Sequence, residues 1–157
     1  MSRSFLETLN EKIIVFDGAT GTHLQGQSLT PEDFGGEHLN GCNEHLVLSK
    51  PSAVEKVHND YLEAGCDVVE TNSFGSTPIV LSEYGLGEKA YELNFQAARI
   101  AKRVAAGYSS NNHPRFVAGS IGPTTKLPSL GHISFKEMSE GYFLQAKGLV
   151  EGGVDLL

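Results

Sequence analysis

The chain has few cysteines, little basic charge and no long apolar run, and each shortage narrows what it can be. Two cysteines in 157 residues make no disulfide framework, which fits a reducing compartment and makes the cytoplasm the expected location. No stretch approaches the roughly 18 consecutive apolar residues a spanning helix needs, and none has the layout of a signal peptide. No membrane partner is expected. Lysine and arginine total 12 against 19 aspartates and glutamates, a net charge of −7. They form no stripe that could neutralise phosphates, so nucleic acid is not an expected partner either.

Motifs for several chemistries are also missing. Gly18 to Thr22 lacks the lysine of a phosphate-cradling Walker loop and does not match G-x-G-x-x-G. Ser73 and Ser120 lack the Gly-x-Ser-x-Gly elbow of a nucleophilic serine. Cys42 lies with His38 and His45 in one long loop, but with no second cysteine nearby, turn or packing roles suit them better than metal binding. Cys66 reads as a small buried apolar group. His23, His58, His113 and His132 show no carboxylate or nucleophile partner in the sequence, so all four are expected at the solvated surface.

The residues present alternate between two periodicities. Ser4 and Glu7 form a capping box for a short opening helix. Ile13-Ile14-Val15-Phe16 is a β-branched apolar run closed by Asp17-Gly18, and reads as a strand buried on both faces. Val54, Val57, Tyr61 and Leu62 have helical spacing, with Ser49 as the expected cap, Pro51 in the first turn and Gly65 past the end. That helix leads to a strand over Asp67 to Thr71. Leu93, Ala97, Ile100, Ala101 and Val104 define another helix, with Gly107 beyond it and a strand from Phe116 to Ser120 following. A second capping box, Ser134 with Glu137, opens a helix whose expected apolar face is Phe135, Met138, Tyr142, Ala146 and Leu149.

The helix-to-strand junction is repeated. Leu62-Glu63-Ala64-Gly65-Cys66-Asp67-Val68-Val69 aligns with Val150-Glu151-Gly152-Gly153-Val154-Asp155-Leu156-Leu157, so a fourth strand is expected to begin at Val154, with the chain cut four residues into it. Alternating strands and helices imply parallel βαβ units in an α/β fold. An open doubly wound sheet and a (β/α)₈ barrel both satisfy this. The repeat and the steady strand spacing favour the barrel, whose full size is about 250 residues. On that reading residues 1–157 form one partial domain, the N-terminal half of a TIM barrel.

In either architecture, ligands bind beyond the carboxyl ends of the strands. Those ends carry Asp17-Gly18-Ala19-Thr20-Gly21-Thr22, Glu70-Thr71-Asn72-Ser73-Phe74-Gly75 and Gly119-Ser120-Ile121-Gly122-Pro123-Thr124. Asp17 can accept hydrogen bonds from an ammonium, and the slim backbone from Gly18 to Gly21 can donate to a carboxylate, so together they suit the two charged ends of an amino acid. Two structural readings compete: Asp-Gly as an ordinary turn, and Asp17 as the cap of the next helix. The segment from Gly18 to Leu48 is long for a βα connection, and is expected to lie over the rim as a lid or contact surface.

These rim motifs, with Gly41-Cys42-Asn43-Glu44, Leu48-Ser49-Lys50-Pro51 and Tyr61-Leu62-Glu63-Ala64-Gly65, occur in an order that closely resembles the homocysteine-binding modules of cobalamin-dependent methionine synthases. The resemblance runs from about Ile13 to Leu157. It implies a barrel that holds homocysteine at the carboxyl rim, with Asp17 and a glutamate after strand four on the amino group and amides after strand one on the carboxylate. Asp17, Gly18, Ala19, Thr20, Asn72 and Ser120 are the substrate-binding candidates. For the complete enzyme it also implies zinc held by three cysteines from later strands, methylcobalamin as donor, and further cobalamin and folate modules. This chain has none of those three cysteines and is expected to bind neither cofactor alone, hence to be inactive in isolation. Two other readings are a non-catalytic half-barrel that covers its open edges with a partner, and a relative using betaine or S-methylmethionine.

Overall fold

The computed structural model describes residues 4–157. Helix α1 (Phe5–Leu9) opens with the expected capping box: Ser4 Oγ accepts from Glu7 N, and the Glu7 carboxylate accepts from Ser4 N. Five short helical pieces follow before the first long helix, among them α2 (Thr20–Gln25), α3 (Pro31–Phe34) and α4 (Leu46–Ser49). Then come α5 (Pro51–Ala64), β1 (Val68–Glu70), α6 (Pro78–Leu81), α7 (Ala90–Tyr108), β2 (Phe116–Ala118) and α8 (Phe135–Gly152).

β1 and β2 pair in parallel, Val69 opposite Val117. A single parallel bridge joins Phe16 to Val68 on one side, and another joins Ala118 to Leu156 on the other. Four parallel segments therefore stand side by side in chain order, as successive βαβ units require. The run Ile13–Phe16 is not the doubly buried strand its composition suggests. It makes only that one bridge, and Ile13 is 89% exposed, because among the described residues no neighbour covers its far side. The strands expected over Asp67–Thr71 and Phe116–Ser120 are each three residues long, their last residues having turned into the rim loops.

The repeated junction recurs in three dimensions. Gly65 and Gly153 both end their helices in the left-handed region, φ 107° and 99°, where glycine has no Cβ to clash. After each, the aspartate doubles back onto the start of the preceding strand segment: Asp67 Oδ2 accepts from Val15 N at 3.0 Å, and Asp155 Oδ2 accepts from Val117 N at 2.8 Å. Each of these aspartates also donates its own N–H, Asp67 to Val15 O and Asp155 to Val117 O.

Several helix details differ from expectation. Ser49 does not cap α5. Its hydroxyl donates back to His45 O as the last residue of α4, and Lys50 occupies the cap position. Gly107 lies inside α7, because Tyr108 continues the helix and its hydroxyl donates to Asn59 Oδ1 at 3.1 Å. The face α8 buries keeps only Leu149 of the expected stripe, Phe135 being 78% exposed. It is Gly141, Gln145, Gly148, Leu149 and Gly152, which let α7 approach so closely that a Cβ on Gly152 would stand 2.5 Å from Ala98 Cβ and 2.8 Å from Phe95 O.

The segment from Gly18 to Leu48 is a packed helical excursion. Leu24, Phe34, Leu39, Cys42, Leu46 and Val47 join Val54, Val57, Leu93 and Ala97 in one apolar cluster. His58 is no surface group. It is fully buried on the inner side of α5, with both ring nitrogens unpartnered among the described residues, and burial pushes its pKa from 6.5 down to about 4. His23 and His113 do have carboxylate partners, Asp60 at 2.8 Å and Asp67 at 3.3 Å.

Gly152→Ala should destabilise the chain by about 1–3 kcal/mol through overpacking, read as a lower urea midpoint; an unchanged midpoint would show that the two helices can separate freely. His58 is more readily protonated when unfolded, so its contribution to stability is lost as pH falls from 6.5 toward about 4. Unfolding of His58→Leu across that range should show a shallower acid limb than wild type, and a limb of equal slope would remove His58 as its cause.

Candidate substrate site at the strand rim

A cleft of about 350 Å³ opens where the first three parallel segments end. From the first segment it is lined by Gly18 to Gly21, from the loop after β1 by Glu70 to Phe74, and from the loop after β2 by Ser120. Asn43 and Glu44 of the helical excursion close the remaining side. The structure thus brings together Gly18, Ala19, Thr20, Asn72 and Ser120, five of the six candidate residues.

Asp17 is the exception, since it sits one step behind the cleft wall. Its carboxylate does not cap α2, whose N-cap is Ala19 with no side-chain hydrogen bond. Asp17 Oδ2 instead accepts from Glu70 N at 3.0 Å across the neighbouring segment. Burial pushes the Asp17 carboxyl from 3.8 up to about 7, against the opposing hydrogen bond from Glu70 N, and the negative charge of Glu70 adds to the rise.

The loops after β1 and β2 are tied by hydroxyls whose proton directions follow from their partners. Thr71 Oγ1 accepts from Ser120 N at 2.9 Å, and Ser73 Oγ donates to Ser120 O at 2.8 Å. The 2.6 Å contact between the two hydroxyls is therefore Thr71 donating to Ser73. Ser120 Oγ donates to Glu70 Oε2 at 3.1 Å. Buried Gln145, reaching up from α8, donates to Ser73 O at 2.7 Å. Gly122 N donates to Phe74 O, and a Cβ at Gly122 would stand 2.7 Å from the Phe74 ring, so this glycine is set by close approach and not only by a turn.

The excursion is fixed to the same wall. Asn72 Nδ2 donates to Asn43 O at 2.7 Å, and Glu44 Oε1 accepts from Gly75 N at 2.9 Å. Composition and spacing gave no reason to bring Asn43 and Glu44 here, since they lie about thirty residues from Asn72; their motif was the only signal. Glu70 had a plainer one, its position at the carboxyl end of a parallel strand.

Chemically, the cleft joins main-chain donors to an acidic wall. Among the described residues, nothing accepts from the N–H groups of Gly18 or Ala19, and of the described residues lining the cleft two are acidic and none is basic. Cys42 and Cys66 are both buried, and burial pushes each thiol up to about 11. No three His, Cys, Asp or Glu side chains gather as a metal site among the described residues, and none of the described helices is long and apolar enough to cross a membrane.

A parallel α/β unit with its cleft at the carboxyl rim defines the class of protein. Residues 14–157 match the family model for Homocysteine S-methyltransferase, and the chain belongs to that family. Methionine synthase of Mycobacterium leprae is 44% identical over 150 residues, which is 96% of this chain and 12% of the relative. Methionine synthase of Mycobacterium tuberculosis is 41% identical over 152 residues, 97% of this chain and 13% of the relative. The chain therefore spans about an eighth of the curated relatives it matches. The homocysteine methyltransferase MmuM from Escherichia coli shares the fold. Its metallated form superposes with a TM-score of 0.75 at 24% identity over 96% of this chain and 55% of that one, and its apo form with 0.68 at 23% over 98% and 51%.

The raised carboxyl of Asp17 predicts a pH effect on folding. A carboxyl whose folded pKa is about 7 against 3.8 contributes stability that is complete below pH 3.8 and lost as pH rises through 7. Asp17→Asn should therefore gain on wild type in urea unfolding at pH 8 relative to pH 5. An equal difference at both values would mean that Asp17 titrates normally.

Proposed function

We propose that this chain is the N-terminal part of a (β/α)₈ barrel that binds homocysteine for S-methylation, supplying one wall of the substrate site. The observation that carries the reading is the union, in one cleft, of unpartnered Gly18 and Ala19 amides with an acidic side. A free amino acid presents a carboxylate and an ammonium on one carbon, and this pairing of donors and negative charge matches both. The amides of Gly18, Ala19 and Thr20 receive the carboxylate, Asp17 and Glu70 provide the negative field for the ammonium, and Asn72 and Ser120 hold the wall to its neighbours. The sulfur end then projects into the open part of the cleft.

In the complete enzyme, zinc held by residues outside this chain would favour the thiolate of homocysteine, and methylcobalamin would be the methyl donor. The residues described here do not fit a zinc site, since both cysteines are buried with raised thiol pKa values and no ligand cluster forms among the described residues. No step of the reaction is assigned to zinc in this chain. Its own residues bind and orient. The remaining barrel and the cobalamin and folate modules are the proposed partners, and the cytoplasm is the proposed location.

Titration of the ¹⁵N-labelled chain with homocysteine should shift amide resonances at Gly18 to Gly21, Thr71 to Phe74 and Ser120, with no methionine formed by the chain alone. Shifts confined to other regions, or none at millimolar ligand, would defeat the proposal.

A further inference from the structure

We propose that the two open edges of the sheet form a self-complementary interface, and that a second copy of this 157-residue chain, turned about a two-fold axis parallel to the strands, closes the sheet into a symmetric barrel. The inference rests on the reading of the four segments as half of a (β/α)₈ barrel and is independent of what the rim cleft binds. The remaining barrel of a longer chain would compete for the same two edges.

Backbone groups stand unpaired along both edges. At the first segment, Val15 O accepts from Val68 N and Asp17 N donates to Val68 O. Phe16 between them therefore turns its own N–H and C=O away from β1, and neither has a partner among the described residues. At the fourth segment, Leu156 O accepts from Gly119 N, which leaves Leu157 N–H and Asp155 C=O turned outward, also without partners among the described residues. Ile13-Ile14-Val15-Phe16 carries neither the charge nor the proline with which exposed edges are usually blunted. All four segments are parallel and follow chain order, so a rotated copy sets its first segment beside this copy's fourth, again in parallel. Symmetry supplies the reverse contact, and no edge is left open.

The inner face asks for the same occupant. Val69 and Val117 pack outward with Leu62 of α5 and with Ala101 and Ala105 of α7. Their alternates Val68, Phe116 and Ala118 point the other way and are joined by Ile14, Leu156 and Phe5. On that face a hollow of about 390 Å³ is lined from all four segments, by Phe16, Glu70, Ala118 and Leu156, with Phe74 and Leu157 beside them. Phe16 is 41% and Leu157 58% exposed. A closed barrel fills this space with layers of side chains drawn from alternate strands, and a two-fold partner doubles what one copy brings to each layer. None of Ile14, Phe16, Val68, Phe116, Ala118 and Leu156 is charged, so filling the hollow there desolvates no ion. A rival apolar surface lies on α8 at the exposed side chains of Phe143 and Val150. It offers side chains but no unpaired strand.

Sedimentation equilibrium at micromolar concentration should give twice the 16.9 kDa mass of the chain, with no larger species. Phe16→Pro removes an N–H that has no partner among the described residues, and Leu157→Lys sets a charge on the opposite edge. Each should weaken the dimer at least about tenfold, whereas Phe143→Lys on α8 should leave it within about twofold. In a mixture of labelled and unlabelled chain, isotope-filtered NOEs should join Leu156 or Leu157 of one copy to residues 13–16 of the other. A monomer, an open-ended series of oligomers, a dimer of unchanged affinity in either edge variant, or a dimer lost in Phe143→Lys overturns the proposal. NOEs within one chain, from Phe16 to Val68 and from Ala118 to Leu156, report the four-segment sheet itself. If those are missing, the half-barrel reading fails, and the interface with it.

Discussion

The site depends on the level at which parallel segments stand beside one another, and two aspartates fix that level from the far end. Asp67 and Asp155 each accept a main-chain N–H from the first residues of the preceding segment, Val15 and Val117. A strand's side chains alternate faces, so a slip of one residue would send Glu70 to the opposite face of the sheet. The aspartates make that slip costly, because it would take the main-chain donor from both and leave the buried carboxylate of Asp67 short of a partner. Asp67 is held further by Lys12 at 2.5 Å and by His113 and Arg115. The cleft is thus assembled at one end of the sheet by electrostatics at the other.

Much of this was legible in the sequence, and the reasons are local. Capping boxes at Ser4 and Ser134, the left-handed glycines at Gly65 and Gly153, and the repeated junction are short-range rules in which neighbouring residues decide the outcome. The gathering of Gly18, Ala19, Thr20, Asn72 and Ser120 followed from parallel topology alone, since every strand end then lies on one rim. What did not show was tertiary. No pattern within α5 tells that His58 is enclosed, because the elements that cover it come from distant parts of the chain. The buried face of α8 was misjudged because glycine carries no hydrophobic signal, yet Gly148 and Gly152 are where α7 comes nearest. Asp17 stands at the strand end where it was expected, and its bond to Glu70 N, which joins residues fifty-three positions apart, is the part no local pattern announces.

The balance of charge across the molecule now has a simple description. Basic residues cluster where the fold must be held, as at Lys12 and Arg115 around Asp67 and at Lys102 on Asp155, 2.8 Å away. The rim has been left acidic, with no described cation lining it. On the proposed reading of the cleft, the positive group that meets this acidic wall belongs to the substrate.

The contact between Gly122 and the ring of Phe74 carries a mechanical consequence. Since the ring fills the volume a side chain would need, and Gly122 N also donates to Phe74 O, the two loops interlock like a key seated in its slot. Neither can swing outward alone.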